Sequence, residues 1–489
     1  MLRKIRIVLA TLLFVSITLL FLDFTGTLHH YLGWTAKIQL LPAVLSLNVV
    51  VVVVLLLVTL LLGRVYCSVV CPLGVMQDVV SRLGKRDRFR FRRPHPVVRW
   101  VVLALFVLLL LLGVQSVALL VAPYSAYGRV ASQLLQPVFL WANNLLAGWA
   151  ERHGSYAFHH VDVWLKSGLL LAVAVATLVV VGLCALLWGR AWCNTVCPVG
   201  TVLGFVSRFS LFRPRIDADK CVSCGRCERR CKASCIDSKA KSIDHSRCVA
   251  CMDCLDTCKL GALHYSRGKA TPAEAQATAV DGGRRKFLAT TAAVVATGAV
   301  KAQEMKVDGG LAVIEDKKIP TRATPLKPAG SVGLSHFTKH CTACQLCVAE
   351  CPNGVLRPSQ KFETLLQPEM SYERGYCRPE CVRCSQVCPA GAIRRITPAD
   401  KTAIHIGTAV WIPENCVVNT DGVSCGHCAT HCPAEAILMV ALSPDKPDGL
   451  RVPTVDESRC IGCGACENLC PARPFSAIYV EGRTVHAES

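Results

Sequence analysis

Residues 221–231 read CVSCGRCERRC, and residues 248–258 read CVACMDCLDTC. Both fit C-x2-C-x2-C-x3-C. Three cysteines at i, i+3 and i+6 on a tight loop can turn their sulfurs onto one compact metal core. The fourth, lying past the loop, reaches a neighbouring core. The spacing therefore predicts two 4Fe–4S cubes. One takes Cys221, Cys224, Cys227 and Cys258; the other takes Cys248, Cys251, Cys254 and Cys231. Zinc ribbons use two well-separated CxxC pairs, and a disulfide between cysteines three apart is strained. Neither suits four close cysteines twice over. Where a proline commonly follows the fourth cysteine, this chain has Lys232 and Lys259, which read as solvated surface lysines.

With 489 residues the chain has room for several domains, and its 52% hydrophobic content is concentrated in the first 190 residues. The formal charge of +20 ignores thiolates. A cube on four cysteines carries about −2, so the clusters cancel much of the surplus. The remaining basic residues flank apolar segments, which is not the pattern of a nucleic-acid binder. Thirty cysteines in so long a chain, at this periodicity, read as metal ligands assembled under reducing conditions rather than as disulfides.

Four stretches, near residues 5–24, 40–62, 97–121 and 166–188, are apolar over about the twenty residues that a bilayer-spanning helix needs. Arg3, Lys4 and Arg6 precede the first. Arg82, Lys85, Arg86, Arg88, Arg90, Arg92, Arg93 and Arg99 separate the second from the third. Arg190, Arg208, Arg213, Arg215 and Lys220 follow the fourth. The positive-inside rule places all three groups, and the module at 221–258, in the cytoplasm. The two opposite loops carry His29, His30, Trp34, His159, His160 and Trp164. A quinone headgroup would use a histidine or carboxylate there, but an interfacial aromatic belt is the simpler reading.

The membrane half repeats internally. GRVYCSVVCPLG at 63–74 aligns with GRAWCNTVCPVG at 189–200, an offset of 126 (189 − 63). Val80, Ser81 and Arg82 match Val206, Ser207 and Arg208 at the same offset. Cys67, Cys71, Cys193 and Cys197 should therefore converge at one face, beside the first cluster module, as a redox motif that holds a metal or a redox-active pair. Cys184 reads as an inert thiol, and Cys235 has no partner spacing.

Residues 266–283 read as a flexible linker. Arg284 and Arg285 then precede a mild apolar run to Val300, the pattern of a twin-arginine export signal placed inside the chain, with the apolar run as a candidate fifth span. Beyond it come four more cysteine runs. They are Cys341, Cys344, Cys347, Cys351; Cys377, Cys381, Cys384, Cys388; Cys416, Cys425, Cys428, Cys432; and Cys460, Cys463, Cys466, Cys470. Pro352, Pro389, Pro433 and Pro471 follow the last cysteine of each. The first run can exchange its fourth cysteine with the second or with the fourth. Six runs of four make 24 ligands of the 30 cysteines, enough for six cubes. No P-loop, dinucleotide fingerprint or catalytic triad competes with them.

The expected organisation is a four-span α-helical polytopic membrane domain at 1–212, with α+β ferredoxin-like cluster domains after it. These are a two-cluster module at 213–265, a linker at 266–334 and a four-cluster domain at 335–489. The paired Cys-x3-Cys-Pro motifs and two-cluster end resemble NapH. The twin arginines and four runs of residues 284–489 resemble NapG. The resemblance implies two such quinol dehydrogenase proteins fused in one chain of a bacterial inner membrane. Electrons from the quinone pool would pass through the clusters to a periplasmic reductase or cytochrome c, with the C-terminal domain exported. Proteins with the same Cys-Pro core also serve in assembling copper oxidases and in nitrous-oxide reduction, so a maturation factor for another metalloenzyme is the alternative.

Overall fold

Helix Leu2–Leu22 and helix Gly168–Trp188, each 21 residues, are long and apolar enough to cross a membrane; Val49–Leu62, Pro96–Leu111 and Pro198–Ser207 are apolar but shorter. The computed structural model from which this description comes covers residues 2–84, 89–267, 316–443 and 449–488. Two of the four expected spans are broken. Segment 40–62 forms a short helix Leu40–Leu45, turns at Leu47 with φ 55°, and restarts at Val49, where the Asn48 side chain accepts from the Val51 N–H at 3.3 Å. Segment 97–121 stops at Gly113, φ 77°, before Gln115–Val121 resumes. The loop that follows is also helical, with Pro123–Val130 and Gln136–Arg152.

These helices form one body with apolar side chains on its outside. Val8, Leu12, Val15 and Leu19 recur at helical spacing on the outward face of the first helix. Val50, Val54 and Leu57, Val101, Leu105 and Leu108, and Val179, Leu183 and Leu187 do the same on three others.

The internal repeat is a structural repeat. Gly63 and Gly189, both at positive φ, end the helices Val49–Leu62 and Gly168–Trp188. Short helices Val65–Val69 and Ala191–Thr195 follow. Cys71 and Cys197, in extended backbone, then open Pro72–Leu83 and Pro198–Ser207 with proline in the first turn, where its missing N–H costs nothing. The copies interlock. Pro72–Leu83 packs on the long helix of the second copy, and Pro198–Ser207 on that of the first.

The first cluster module hangs from this body on an antiparallel pair, Phe212–Ile216 with Leu263–Arg267, which brackets both cysteine runs. Among the described residues the second module contains three such pairs: Leu356–Pro358 with Pro368–Met370, Ile404–Trp411 with Ile478–Glu488, and Ile437–Ala441 with Arg451–Val455. It begins before residue 335. Residues 316–333, assigned from sequence to the linker, pack into it: Arg322 reaches the buried Glu467 and Lys327 donates to the Pro368 carbonyl at 3.0 Å. Arg284, Arg285 and the apolar run after them lie outside the described residues.

The modules sit at opposite ends of the helical body. At the start of the first helix Arg3 pairs with Asp253 at 2.9 Å, in the first module. Just past its end, Arg383 of the second module donates to the Phe24 carbonyl at 3.2 Å. The helix that runs between those contacts has 21 residues, a rise of about 31 Å. The second module is bound along a broad face. Ser125 donates to the Thr342 carbonyl at 2.6 Å, Gln136 to Ala349 at 3.0 Å and Lys166 to Val348 at 3.2 Å. Trp164, read from sequence as an interfacial aromatic, has the guanidinium groups of Arg357 and Arg374 against its ring, at 4.7 and 4.8 Å.

Candidate metal centres

Among the described residues, four cavities are each lined by four or more cysteines. The first holds Cys221, Cys224, Cys227 and Cys258, and the second Cys248, Cys251, Cys254 and Cys231. In both, three residues come from one run and the fourth from the other. In the second module Cys377, Cys381 and Cys384 share a cavity with Cys351, and Cys460, Cys463 and Cys466 share one with Cys432. Cys341, Cys344 and Cys347 have Cys388 as their electrostatic neighbour, and Cys428 has Cys425 and Cys470. Buried Cys416 opens the helix Val417–Thr420. Each run's fourth cysteine thus lies beside its partner run, first with second and third with fourth, a choice that spacing left open.

The backbone suits an anionic core. Between the cysteines Ser223, Ala250, Met252, Ala343 and Gln345 take positive φ, as do Gly225, Gly462 and Gly464. Such left-handed turns aim successive N–H groups into one concavity, an arrangement that recurs at iron–sulfur sites. Several N–H groups already point at sulfur: Ala343 to Cys341 at 3.4 Å, Ala409 to Cys460 at 3.4 Å, Ala436 to Cys432 at 3.3 Å and Ala477 to Cys470 at 3.3 Å. These bonds stabilise thiolate and tune the potential of whatever the sulfurs hold.

Sequence reasoning missed Cys235. Its Sγ lies 3.5 Å from that of Cys231, in the same cavity. The Cys235 thiol and nearby backbone N–H groups hold the Cys231 thiol below its ordinary value. The only sequence signal was a C-x3-C spacing that prolongs the first run. Lys232 departs from its reading as a surface lysine: it is buried and pairs with Asp78 at 3.1 Å and Asp253 at 2.9 Å. Lys259 is exposed, as expected. Arg6, Arg99 and Arg190, counted from sequence as membrane-flanking charges, are also buried. Arg6 and Arg190 pair with Asp78 at 3.1 and 2.8 Å, so one carboxylate gathers three cations between the helical body and the first module.

Cys67, Cys71, Cys193 and Cys197 are all buried and lie within electrostatic range of one another. They converge where the two copies of the repeat meet. Arg64 Nη2 is 3.8 Å from Cys67 Sγ and donates to the Cys193 carbonyl at 3.3 Å. Its counterpart Arg190, 126 residues on, has Nη1 3.9 Å from Cys193 Sγ and donates to the Cys67 carbonyl at 2.9 Å. Each arginine therefore reaches across to the other copy. Gly74 and Gly200 permit this close approach. A Cβ there would stand 2.3 Å from the Cys67 carbonyl oxygen and 2.1 Å from that of Cys193. The quartet adjoins the first module, since Asn194 donates to the Ala233 carbonyl at 3.3 Å and Arg64 to that of Ser246 at 3.1 Å. Cys184 lies apart, half-buried in Gly168–Trp188.

A cavity of about 1080 Å³ opens between the helical body and the second module. His159, His160, Asp162 and Lys166 line one wall, and Glu350 and Cys351 the other. His29 lies elsewhere, 3.2 Å from the Gln386 carbonyl.

The family described as 4Fe-4S binding domain matches twice, at residues 46–90 and 169–217, and that described as 4Fe-4S dicluster domain matches residues 422–473. The first pair coincides with the internal repeat; the last contains most of the third run and all of the fourth. The chain is 28% identical to the ferredoxin-type protein NapG of Escherichia coli over 38% of its own length and 81% of that protein. It is 27% identical to the putative electron transport protein YccM of Escherichia coli, over 39% of this chain and 47% of YccM. No solved structure matches the chain. With the methylamine utilization ferredoxin-type protein MauM of Methylophilus methylotrophus it shares 32% identity over 33% of this chain and 72% of MauM, so the chain belongs to the ferredoxin-type iron–sulfur proteins of which MauM and NapG are members.

Proposed function

We propose that the protein is a membrane-bound electron-transfer protein that oxidises quinol and passes the electrons through six 4Fe–4S clusters to a reductase or cytochrome. Its first module faces the cytoplasm and its second the periplasm. The observation that carries this reading is the position of two cysteine-rich modules at opposite ends of a helical body whose outer face is apolar. A bilayer's hydrocarbon core is about 30 Å thick, close to the rise of the helix that separates the modules. The 24 cysteines of the six runs are the ligands in this proposal, in the exchanged pairings above. When bound, the cubes supply one-electron carriers without proton chemistry. The chain's own part is to hold thiolates beneath converging N–H groups and to keep the carriers in a fixed order. His159, His160 and Asp162 border the cavity beside Cys351, where a quinol headgroup would find proton acceptors within reach of a cluster. The test is to add quinol to the purified protein in anaerobic membranes and follow bleaching of the cluster absorbance. Reduction supports the reading; clusters that dithionite reduces and quinol does not would sink it.

A further inference from the structure

We propose that the open face of the first module, around Cys224, is a docking surface for a small acidic protein that carries single electrons. The proposal rests on the reading that the cavity of Cys221, Cys224, Cys227 and Cys258 holds a cube; it does not rest on quinol oxidation. Of the chain's 30 cysteines, Cys224 alone is exposed. Its cavity measures about 270 Å³, against about 30, 20 and 10 Å³ for the other three cysteine-lined cavities. The others are nearly filled by protein, whereas this one reaches the surface at Cys224. Electron transfer between proteins falls steeply with distance, so an edge in water is where a partner can exchange with a buried carrier.

The face has the make-up of a transient interface. Val222 and Leu260, 67% and 55% exposed, line the cavity as an apolar centre. Exposed cations surround them. Arg226 and Lys259 line the same cavity, and neither has a carboxylate partner among the described residues. Arg229 is exposed and donates to the Cys224 carbonyl at 3.5 Å. The chain at 89–91 lies against the same short helix, Arg226–Arg230: the Phe89 N–H donates to the Arg229 carbonyl at 3.2 Å and the Phe91 N–H to Glu228 Oε1 at 3.0 Å. That contact brings exposed Arg90 alongside. Lys259 holds in the second run the place that Lys232 holds in the first. Lys232 is engaged by Asp78 and Asp253, whereas Lys259 keeps its ammonium in water. Nearby carboxylates are engaged as well. Glu228 also accepts from Ser238, Asp256 pairs with Arg3 at 3.2 Å, and Asp217 pairs with Lys220 at 3.5 Å. Asp219 is exposed beside Lys220.

A small apolar centre inside a cationic rim is complementary to an apolar spot inside an anionic one. Such charge raises the encounter rate and orients the partner, while the small contact lets it leave, as in redox encounters that bury less than about 1,200 Å². An anionic lipid surface would also meet the cations, but it brings no redox group to the mouth of a cysteine cavity. In the exchange the reduced carrier gives up one electron and is oxidised, and the centre held by Cys221, Cys224, Cys227 and Cys258 takes it up and is reduced. No bond forms or breaks and no proton moves. The chain thereby receives electrons from a soluble protein, at the end opposite the cavity beside Cys351.

The full-length protein in phosphatidylcholine nanodiscs, kept anaerobic, tests this with a plant-type 2Fe–2S ferredoxin as the acidic probe and cytochrome c as the basic one. Ferredoxin binding should weaken as salt rises, and dithionite-reduced ferredoxin should pass its electron to the protein in stopped flow. Arg226→Glu with Lys259→Glu should weaken binding and slow transfer at low salt by at least about tenfold. Arg226→Lys with Lys259→Arg should keep both, as should Arg152→Glu, at an exposed position on helix Gln136–Arg152. Should the reversed pair fail to assemble its clusters, Lys259→Glu alone takes its place, with an expected loss of about threefold. Absence of ferredoxin binding, binding that salt and charge reversal leave unchanged, or cytochrome c that binds as tightly would overturn the proposal. So would a charge reversal that weakens adhesion to phosphatidylglycerol vesicles and leaves ferredoxin untouched, which would assign the cations to lipid headgroups. Ferredoxin binding and transfer that persist in a protein that quinol does not reduce would support the surface and retire the quinol reading.

Discussion

At Gly128 the helical body and the second module come into close contact. It lies in the helix Pro123–Val130, and a Cβ built on it would stand 2.2 Å from the Cys344 carbonyl oxygen and 3.0 Å from Phe21 Cζ. Ordinary contact begins near 3.4 Å, so Gly128→Ala must open the interface by 3.4 − 2.2 = 1.2 Å. The obstructing atom is backbone of a cysteine loop, not the end of a flexible chain, and Phe21 is in the core. Overpacking of this kind costs about 1–3 kcal/mol. The opening also strains the neighbouring bond from Ser125 to the Thr342 carbonyl, worth about 1 kcal/mol. Alanine's helix propensity returns about 1 kcal/mol. The net expectation is a loss of about 1–3 kcal/mol in docking, a shift of roughly 5- to 150-fold in the docked population. Gly182→Ala is the control, since a Cβ there meets nothing within 4 Å; it should be neutral or stabilising by up to about 1 kcal/mol. Hydrogen exchange in residues 123–130 and 341–347, with thermal loss of cluster absorbance, reads both variants. Equal protection and stability for Gly128→Ala and wild type, or an equal fall for the control, would refute the close approach.

Asp78→Asn removes the carboxylate shared by Arg6, Arg190 and Lys232; a destabilisation of about 3–5 kcal/mol in denaturant titrations is expected, and a change below about 1 kcal/mol would contradict a buried ionic centre. Cys351→Ser should disturb the centre of Cys377, Cys381 and Cys384 and spare that of Cys341, Cys344 and Cys347, and EPR of the two separately assigned signals decides it. Burial lowers the His486 imidazole to about 4, against about 6.5 in the unfolded chain. The unfolded state therefore binds the extra proton first, and stability present above pH 6.5 is lost as pH falls towards 4, by at most about 3 kcal/mol before solvent screening. His486→Phe should flatten that acid limb in urea midpoints measured from pH 7 to 4.5, and an unchanged slope would assign it to other groups.

Ligand spacing was legible because it is local: i, i+3 and i+6 on one loop determine which sulfurs can share a core whatever the rest of the chain does. Which run lends its fourth cysteine was not legible in the second module. That depends on how Cys388 and Cys470 are brought back to other runs by strands hundreds of atoms away. The Cys-Pro repeat was visible as a repeat. The arginines beside its cysteines were not: Arg64 went unremarked, and Arg190 was one of several charges near a membrane edge. Charge counting has no means of telling a buried guanidinium from a solvated one. Hydropathy ran through Leu47 and Gly113 because it averages composition and is blind to a single left-handed φ. Residues 316–333 looked like linker since their role, with Lys317 and Arg322 satisfying groups around Glu467, is made by contacts about 150 residues apart.

The separation of the two modules along one helix has an energetic consequence for any electron that travels between them. In the proposed orientation that journey carries a charge across the low-dielectric slab, so its driving force includes the membrane voltage. One elementary charge moved through 100 mV is worth about 2.3 kcal/mol, a factor of roughly 50 in equilibrium. A cell whose interior is negative would push electrons outward through this chain and oppose their return. The protein would then act as a current path whose rectification is set by the voltage as much as by the potentials of its carriers.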